Sequence, residues 1–346
     1  VNARCILAGS LLVIAAAAGC LSGPDLPERP PEGRSDWAYE MTQIARMNGL
    51  GFRGANVTIG LVDSGIDLSH PDFGDVRLVG WNDLVNGNAA PYDDEGHGTQ
   101  MAGIIAGSNG GAPGAGLLVA KVIDADGKSA DSLVARAVRW CLDPNGDGEN
   151  GDSADIISLS LGGGRLPILG TETERACKEA AAWGTFVVAA ADNDGESDNG
   201  DVSSPASVWS VVAAGAVDKD GVIAPFSSAG RNGGSVLPPR LPRSDPDKKP
   251  EVVSPGVHIW CAIPGAGHDF GSGTSHAAAF VSSALALVLD ALPRYLPRQN
   301  EGETAIVKFK QALMDTALML EGQAAPHDEH YGYGLVQAHA LYVALA

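Results

Sequence analysis

Gly271-Ser272-Gly273-Thr274-Ser275-His276-Ala277-Ala278-Ala279 leads directly into an apolar tract holding Phe280, Val281, Ala284, Leu285, Leu287, Val288 and Leu289. Apolar positions recur every three and four residues, which predicts a buried helix from about Thr274 to Leu292. The glycines place Ser275 at the start of that helix, beside backbone N–H groups without intrahelical partners and at the positive end of the helix dipole. Such a serine is well sited to act beside a developing oxyanion. Taken alone, it reads equally well as a helix cap.

Three further stretches supply what Ser275 lacks. Val57-Thr58-Ile59-Gly60-Leu61-Val62-Asp63 is an apolar strand ending in an acid, followed by Ser64-Gly65-Ile66-Asp67. Asp94-Glu95-Gly96-His97-Gly98-Thr99 sets a histidine between glycines at a helix start. Phe186-Val187-Val188-Ala189-Ala190-Ala191-Asp192-Asn193 is a strand ending in an Asp-Asn pair. Singly, Asp63 reads as a turn former, His97 as a cap and Asn193 as a loop residue. Together, in this order, the four motifs resemble the subtilisin-like serine proteases (subtilases, peptidase family S8). The resemblance runs from about Trp37 to Ala346. Members of that family carry their catalytic residues in the chain order Asp, His, Ser, the order in which Asp63, His97 and Ser275 stand here.

The resemblance implies that Ser275 is the nucleophile, His97 its general base and Asp63 the carboxylate that orients the imidazole. Asn193 would donate its amide to the tetrahedral oxyanion, with the Ser275 N–H as second donor. Ser160-Leu161-Gly162 would form one wall of the specificity pocket and Ala189-Ala190-Ala191 the other, leaving room for a bulky apolar P1 side chain. The substrate would be an extended polypeptide added as a strand to the cleft edges.

Three positions depart from the family. His276 stands where Met is usual after the serine, and Ala279 stands where Pro is usual, so the helix should be more regular. Asp192 replaces the usual glycine before the oxyanion Asn. If its carboxylate faces the pocket it would favour basic P1 residues; if it faces solvent it does nothing for specificity. These departures keep open a rival reading, a catalytically impaired, peptide-binding lipoprotein of the cell envelope.

Outside the motifs, short apolar runs at 57–62, 117–122, 156–161, 185–190 and 211–216 lack strict polar alternation. They predict strands buried on both faces of a mostly parallel sheet. Helical stretches at 99–105, 129–141 and 172–182 lie between them. The fold class is therefore α/β, a three-layer arrangement with helices on both sides of the sheet and ligands at the strands' carboxyl ends. Trp37–Met47 predicts a short helix, and 302–318 contains an amphipathic one. The 346 residues, 45% hydrophobic, suffice for one large domain.

Residues 1–19 read as a lipoprotein-type signal peptide. Arg4 precedes the apolar run Ile6–Ala18, and Ala17-Ala18-Gly19-Cys20 resembles a bacterial lipobox with Cys20 the acylated residue. Residues 20–36, carrying Pro24, Pro27, Pro30 and Pro31, read as an extended tether. The peptidase domain is expected over 37–346. The span before the Asp63 strand, roughly thirty-five residues, is too short for an independently folded prodomain. The expected location is the bacterial envelope, lipid-anchored or secreted. A net charge of −19 argues against nucleic-acid partners.

Asp143-Pro144-Asn145-Gly146-Asp147-Gly148-Glu149-Asn150-Gly151-Asp152 places oxygen side chains at alternate positions around glycines. This predicts a structural calcium loop with Asp143, Asn145, Asp147, Glu149 and Asp152 as ligands, although Ala154 stands where a bidentate Glu would close a full EF-hand. A second acidic run, 192–201, reads as solvated loop. Of the cysteines, Cys141 and Cys177 on neighbouring helices are the pair expected for a disulfide, with buried free thiols the alternative.

Overall fold

A computed structural model describes residues 13–15, 26–27, 33, 35–163, 170–195, 201–234 and 241–346. Its strands in chain order are β1 (Val13–Ala15), β2 (Thr58–Asp63), β3 (Arg77–Asp83), β4 (Gly116–Lys121), β5 (Lys128–Ala130), β6 (Ile156–Leu159), β7 (Phe186–Ala190), β8 (Val211–Val217), β9 (Val252–Pro255), β10 (Ile259–Ile263) and β11 (Gly267–Gly271). The helices are α1 (Asp36–Met41), α2 (Ile44–Gly49), α3 (His97–Ala106), α4 (Asp131–Leu142), α5 (Glu172–Ala182), α6 (Thr274–Ala291), α7 (Glu303–Asp315) and α8 (Ala338–Leu345).

Seven strands form one sheet in the order β3-β4-β2-β6-β7-β8-β9, and every neighbouring pair in it is parallel. The predicted α/β fold is thus the observed one. β10 and β11 form a separate antiparallel hairpin, and β1 pairs antiparallel with β5.

Strand side chains alternate between two cores, as the two-residue pleat requires. Ile59, Leu61, Leu117, Val119, Phe186 and Val188 face the layer built around α3 and α6. Val62, Leu118, Ala120, Val187 and Ala189 face the layer of α4 and α5. Burial on both faces is why these strands read as continuous apolar runs. The chain turns back past β2 to build β6 on its far side, so the crevice at the carboxyl ends of β2 and β6 is the switch point where such sheets bind ligands.

α6 runs through the first layer, fully buried from Thr274 to Leu289. It is unbroken through Ala279, as the missing proline predicts, and its length and apolarity reflect core burial. It stops at Leu292 because Pro293 follows; the residue before a proline is pushed out of the helical region, and Leu292 sits at φ −130°, ψ 69°.

Several expectations need correcting. The Trp37–Met47 helix is two short helices, α1 and α2, broken at Gln43, which has φ 59°. Cys141 and Cys177 are free and buried. Cys141 packs toward the sheet, where a Cβ on Gly60 would lie 2.8 Å from its Sγ, and burial pushes both thiols well above the ordinary range. The acidic run 192–201 is not wholly solvated: Asp201 is buried and takes a two-pronged ion pair from Arg243, at 2.6 and 2.9 Å. The tether is not wholly free either. Leu26 packs on the α6-side core, and the Pro27 carbonyl lies 2.6 Å from His258 Nε2. Cys20, and the leader apart from β1, lie outside the described residues.

Candidate active site

Asp63 is the last residue of β2 and His97 the first of α3. The strand end and the helix start approach closely because no side chain lies between them. A Cβ on Gly98 would sit 2.2 Å from the Gly65 carbonyl oxygen. At Gly65, with φ 127°, a Cβ would sit 2.0 Å from the Tyr92 carbonyl oxygen. Glycine at both positions lets His97 Nδ1 reach Asp63 Oδ1 at 2.8 Å.

Both side chains are buried, Asp63 fully and His97 to within 3%. Asp63 Oδ1 also accepts from the Ser64 N–H at 2.7 Å. Asp63 Oδ2 and His97 Nε2 have no hydrogen-bond partner. Burial would keep the imidazole neutral, but the Asp63 charge and hydrogen bond, with Glu95 and Asp93, outweigh it and raise the His97 pKa above its ordinary value.

A polar network that sequence reasoning missed holds this pair. Asp93 accepts from Ser64 Oγ at 2.8 Å and from the Thr99 N–H and hydroxyl at 2.9 and 2.6 Å. Ser64 Oγ accepts from the Gly98 N–H at 2.8 Å, and Glu95 accepts from the His97 N–H at 2.9 Å. Lys121, fully buried, donates to the Ser64 carbonyl at 2.6 Å, to Asp94 at 2.6 Å and to the Ile123 carbonyl at 2.8 Å. The one legible signal was Lys121 itself, a lone cation ending an apolar strand. A lysine seldom sits there without buried acceptors.

Ser275 lies in the first turn of α6, where a backbone N–H has no intrahelical partner. Its hydroxyl donates to the Ser160 carbonyl at 3.2 Å, and Ser160 Oγ returns a bond to the Ser275 carbonyl at 3.2 Å. In this resting arrangement Ser275 is therefore turned toward Ser160 rather than His97. Asn193 is oriented by α6: its Oδ1 accepts from the Thr274 N–H at 2.8 Å and hydroxyl at 3.1 Å. This commits the amide oxygen to α6, and Nδ2 is the group left to donate. His276 is buried and neutral, its pKa pushed down to about 3 by burial and by His97. Its ring occupies the space over Gly271, where a Cβ would lie 2.2 Å from Nε2.

Ser160, Leu161 and Gly162 leave the sheet after β6, and alongside them Ala190 ends β7 and Ala191 and Asp192 follow it. The Leu161 and Ala191 side chains belong to the α4/α5-side core and Ala190 to the other, so apart from Ser160 and Asp192 these two segments offer backbone to the space between them.

In the acidic loop, Asp143, Asp147 and Asp152 bring carboxylate oxygens within 4.8 Å of one another. Asp152 Oδ1 is buried without a hydrogen-bond partner. Three converging carboxylates and an orphaned oxygen fit a hard divalent cation. Asn145 bridges to Asp147, its Nδ2 3.0 Å from Oδ2. Glu149 is not in the carboxylate cluster; its N–H donates to Asp147 Oδ1 at 2.8 Å.

Comparison with known proteins agrees with this architecture. The model of the Subtilase family matches residues 54–334. Subtilisin E of Bacillus subtilis (strain 168) is 32% identical over 312 residues, 87% of this chain and 70% of the relative. Subtilisin DY of Bacillus licheniformis is 32% identical over 311 residues, 88% of this chain and 97% of the relative. Serine protease AprX of Bacillus subtilis (strain 168) is 35% identical over 230 residues, 61% of this chain and 49% of the relative. The chain belongs to the subtilase family. It is a serine peptidase by that membership.

Proposed function

We propose that the protein is a serine endopeptidase that hydrolyses peptide bonds through Ser275, His97 and Asp63. The observation that carries this reading is the buried 2.8 Å contact of Asp63 Oδ1 with His97 Nδ1, which leaves His97 Nε2 unpartnered. With Nδ1–H held by the carboxylate, Nε2 carries the lone pair and is the free base. The Ser275 hydroxyl turns from the Ser160 carbonyl to Nε2, gives up its proton and attacks the scissile carbonyl. The resulting oxyanion takes hydrogen bonds from Asn193 Nδ2 and the Ser275 N–H, one such donor contributing about 10²–10³ in rate. The imidazolium then gives its proton to the leaving amine. Water repeats the sequence to release the acyl group.

The test is the pH profile of peptide hydrolysis. His97 must be neutral to act as base, so kcat/KM rises with pH as the proton leaves. The raised pKa puts the half-maximal point above the ordinary histidine value of about 6.5. Asp63→Asn is expected to lower kcat about 10⁴-fold, because the wrong tautomer presents N–H to the serine, and to move the acidic limb downward. An unchanged limb in that variant contradicts the assignment.

The acidic loop is proposed to bind calcium through Asp143, Asp147 and Asp152, as a structural ion. Saturating calcium after chelation is expected to raise Tm by about 5 °C. Asp152→Ala is expected to abolish that rise. An equal rise in both proteins, read by differential scanning calorimetry, contradicts the site.

A further inference from the structure

Asp192 is built in an unusual way. Its φ of 99° lies in the left-handed region that side-chain-bearing residues seldom occupy, and three hydrogen bonds hold it there. Its N–H donates to Thr274 Oγ1 at 3.2 Å, its carbonyl accepts from the Ser228 N–H at 3.0 Å, and its Oδ1 accepts from the Asn193 N–H at 2.7 Å. One carboxylate oxygen is thereby committed and the side chain's direction fixed. The other, Oδ2, lies 3.2 Å from where a Cβ on Gly162 would stand; the next neighbours of that point are Ser203 Cβ and the Ser204 carbonyl oxygen, each at 3.5 Å. A side chain at position 162 would press on the carboxylate. Glycine there spares the carboxylate that contact.

By the subtilase resemblance, the acyl residue of a substrate would place its side chain between the segments that carry Gly162 and Asp192. When Ser275 Oγ meets the carbonyl carbon and the oxyanion points to Asn193 Nδ2, the acyl Cα is one bond away. The residue is then flanked by Ser160, which is hydrogen-bonded to Ser275, and by the chain entering Asn193. Its side chain passes between 160–162 and 190–192, the two segments that Asp192 Oδ2 and Gly162 join. No hydrogen bond or ion pair to Oδ2 occurs among the described residues, so among them this oxygen, beside Gly162, has no counter-charge.

We propose that this pocket takes a cationic P1 side chain, arginine or lysine, with Asp192 as its counter-charge. The inference rests on the catalytic reading above for the placement of the acyl residue. A charge-assisted bond from guanidinium or ammonium to Oδ2 would satisfy the uncommitted oxygen. An apolar P1 side chain would desolvate it without return.

The experiment compares peptide substrates that differ only at P1, as Arg, Lys, Phe, Leu or Ala, in the wild type and in Asp192→Asn. Asparagine preserves the shape and tolerates left-handed backbone but removes the charge. The expected result is at least a tenfold kcat/KM preference for Arg or Lys over Phe, reduced about tenfold in Asp192→Asn. Preference for Phe or Leu, cleavage only after Ala, or the same P1 ratio in both proteins overturns the proposal. Fluorophosphonate labelling run alongside separates the two readings, since a labelled, active enzyme without cationic preference refutes only the pocket assignment. If neither labelling nor turnover occurs, the catalytic reading fails and benzamidine binding by calorimetry decides the pocket. An affinity for Ser275→Ala that drops about tenfold on adding Asp192→Asn supports it, and equal affinities overturn it.

Discussion

Ser275→Ala is expected to reduce kcat for peptide hydrolysis about 10⁶-fold, a magnitude taken over from the subtilisin type case. The fold should survive intact. The Ser275 hydroxyl makes one hydrogen bond, a long one of 3.2 Å to the Ser160 carbonyl, so its removal disturbs little else. Substrate affinity should change little, because the pocket backbone and the Asn193 amide do not depend on that hydroxyl. Turnover by the purified variant on a fluorogenic peptide, with Tm recorded on the same sample, checks both halves. Activity within tenfold of the wild type would mean that another group supplies the nucleophile.

The largest expected loss of stability comes from a residue far from the chemistry. Glu251, just before β9, is fully buried between two buried lysines. Its Oε1 lies 2.8 Å from both Lys249 Nζ and Lys310 Nζ, and its Oε2 accepts from the Ala213 N–H at 2.8 Å. Lys249 also donates to the Val211 carbonyl at 2.5 Å, and Lys310, from α7, to the Trp209 carbonyl. One carboxylate thus ties α7 to the β8–β9 edge. Burial pushes the Lys249 ammonium down to about 7 despite the Glu251 charge, so little margin holds this cluster charged. Glu251→Ala strands two cations and one N–H in the interior and is expected to cost about 3–5 kcal/mol. This should appear as a Tm fall of roughly 6–12 °C. Replacing all three residues with apolar ones of similar volume should recover most of the loss. A Tm change below about 2 °C for the single variant would contradict the account.

How much of this was legible depends on where each residue's role is decided. The strands β2, β4, β6, β7 and β8 were readable because burial on both faces writes a continuous apolar run into each. α6 was readable because a fully buried helix still repeats with its own period. The edge strand β3 escaped notice because its side chains are only partly buried and its register shifts between Leu78 and Gly80. The Asp63 and His97 motifs announced themselves through flanking glycines, and those glycines prove to be what lets the two backbones approach. The roles of Ser64 and Asp93 were not legible, and Lys121 showed only as a cation out of place at the end of an apolar strand. These roles arise from pairing β2 with β4 and from the turn that returns Asp93 to Gly65, contacts that no local pattern records. Asp201 likewise read as a solvated loop charge until folding joined it to Arg243. Asp192 was readable as an anomaly, an acid where the family has glycine. Only the fold shows which way its carboxylate points.

If Ser275 is an activated nucleophile, a covalent serine reagent should find it. The chain from about Gly33 onward would be treated with a fluorophosphonate probe, and the adduct located by peptide mapping. Stoichiometric labelling is expected on Ser275 alone, with a rate that rises as His97 loses its proton and collapses in His97→Ala. A folded, calcium-loaded sample that takes up no probe, or carries it on another residue, would contradict the account. Ser275 would then be a helix-start serine held by Ser160, in a fold that binds peptides without cutting them.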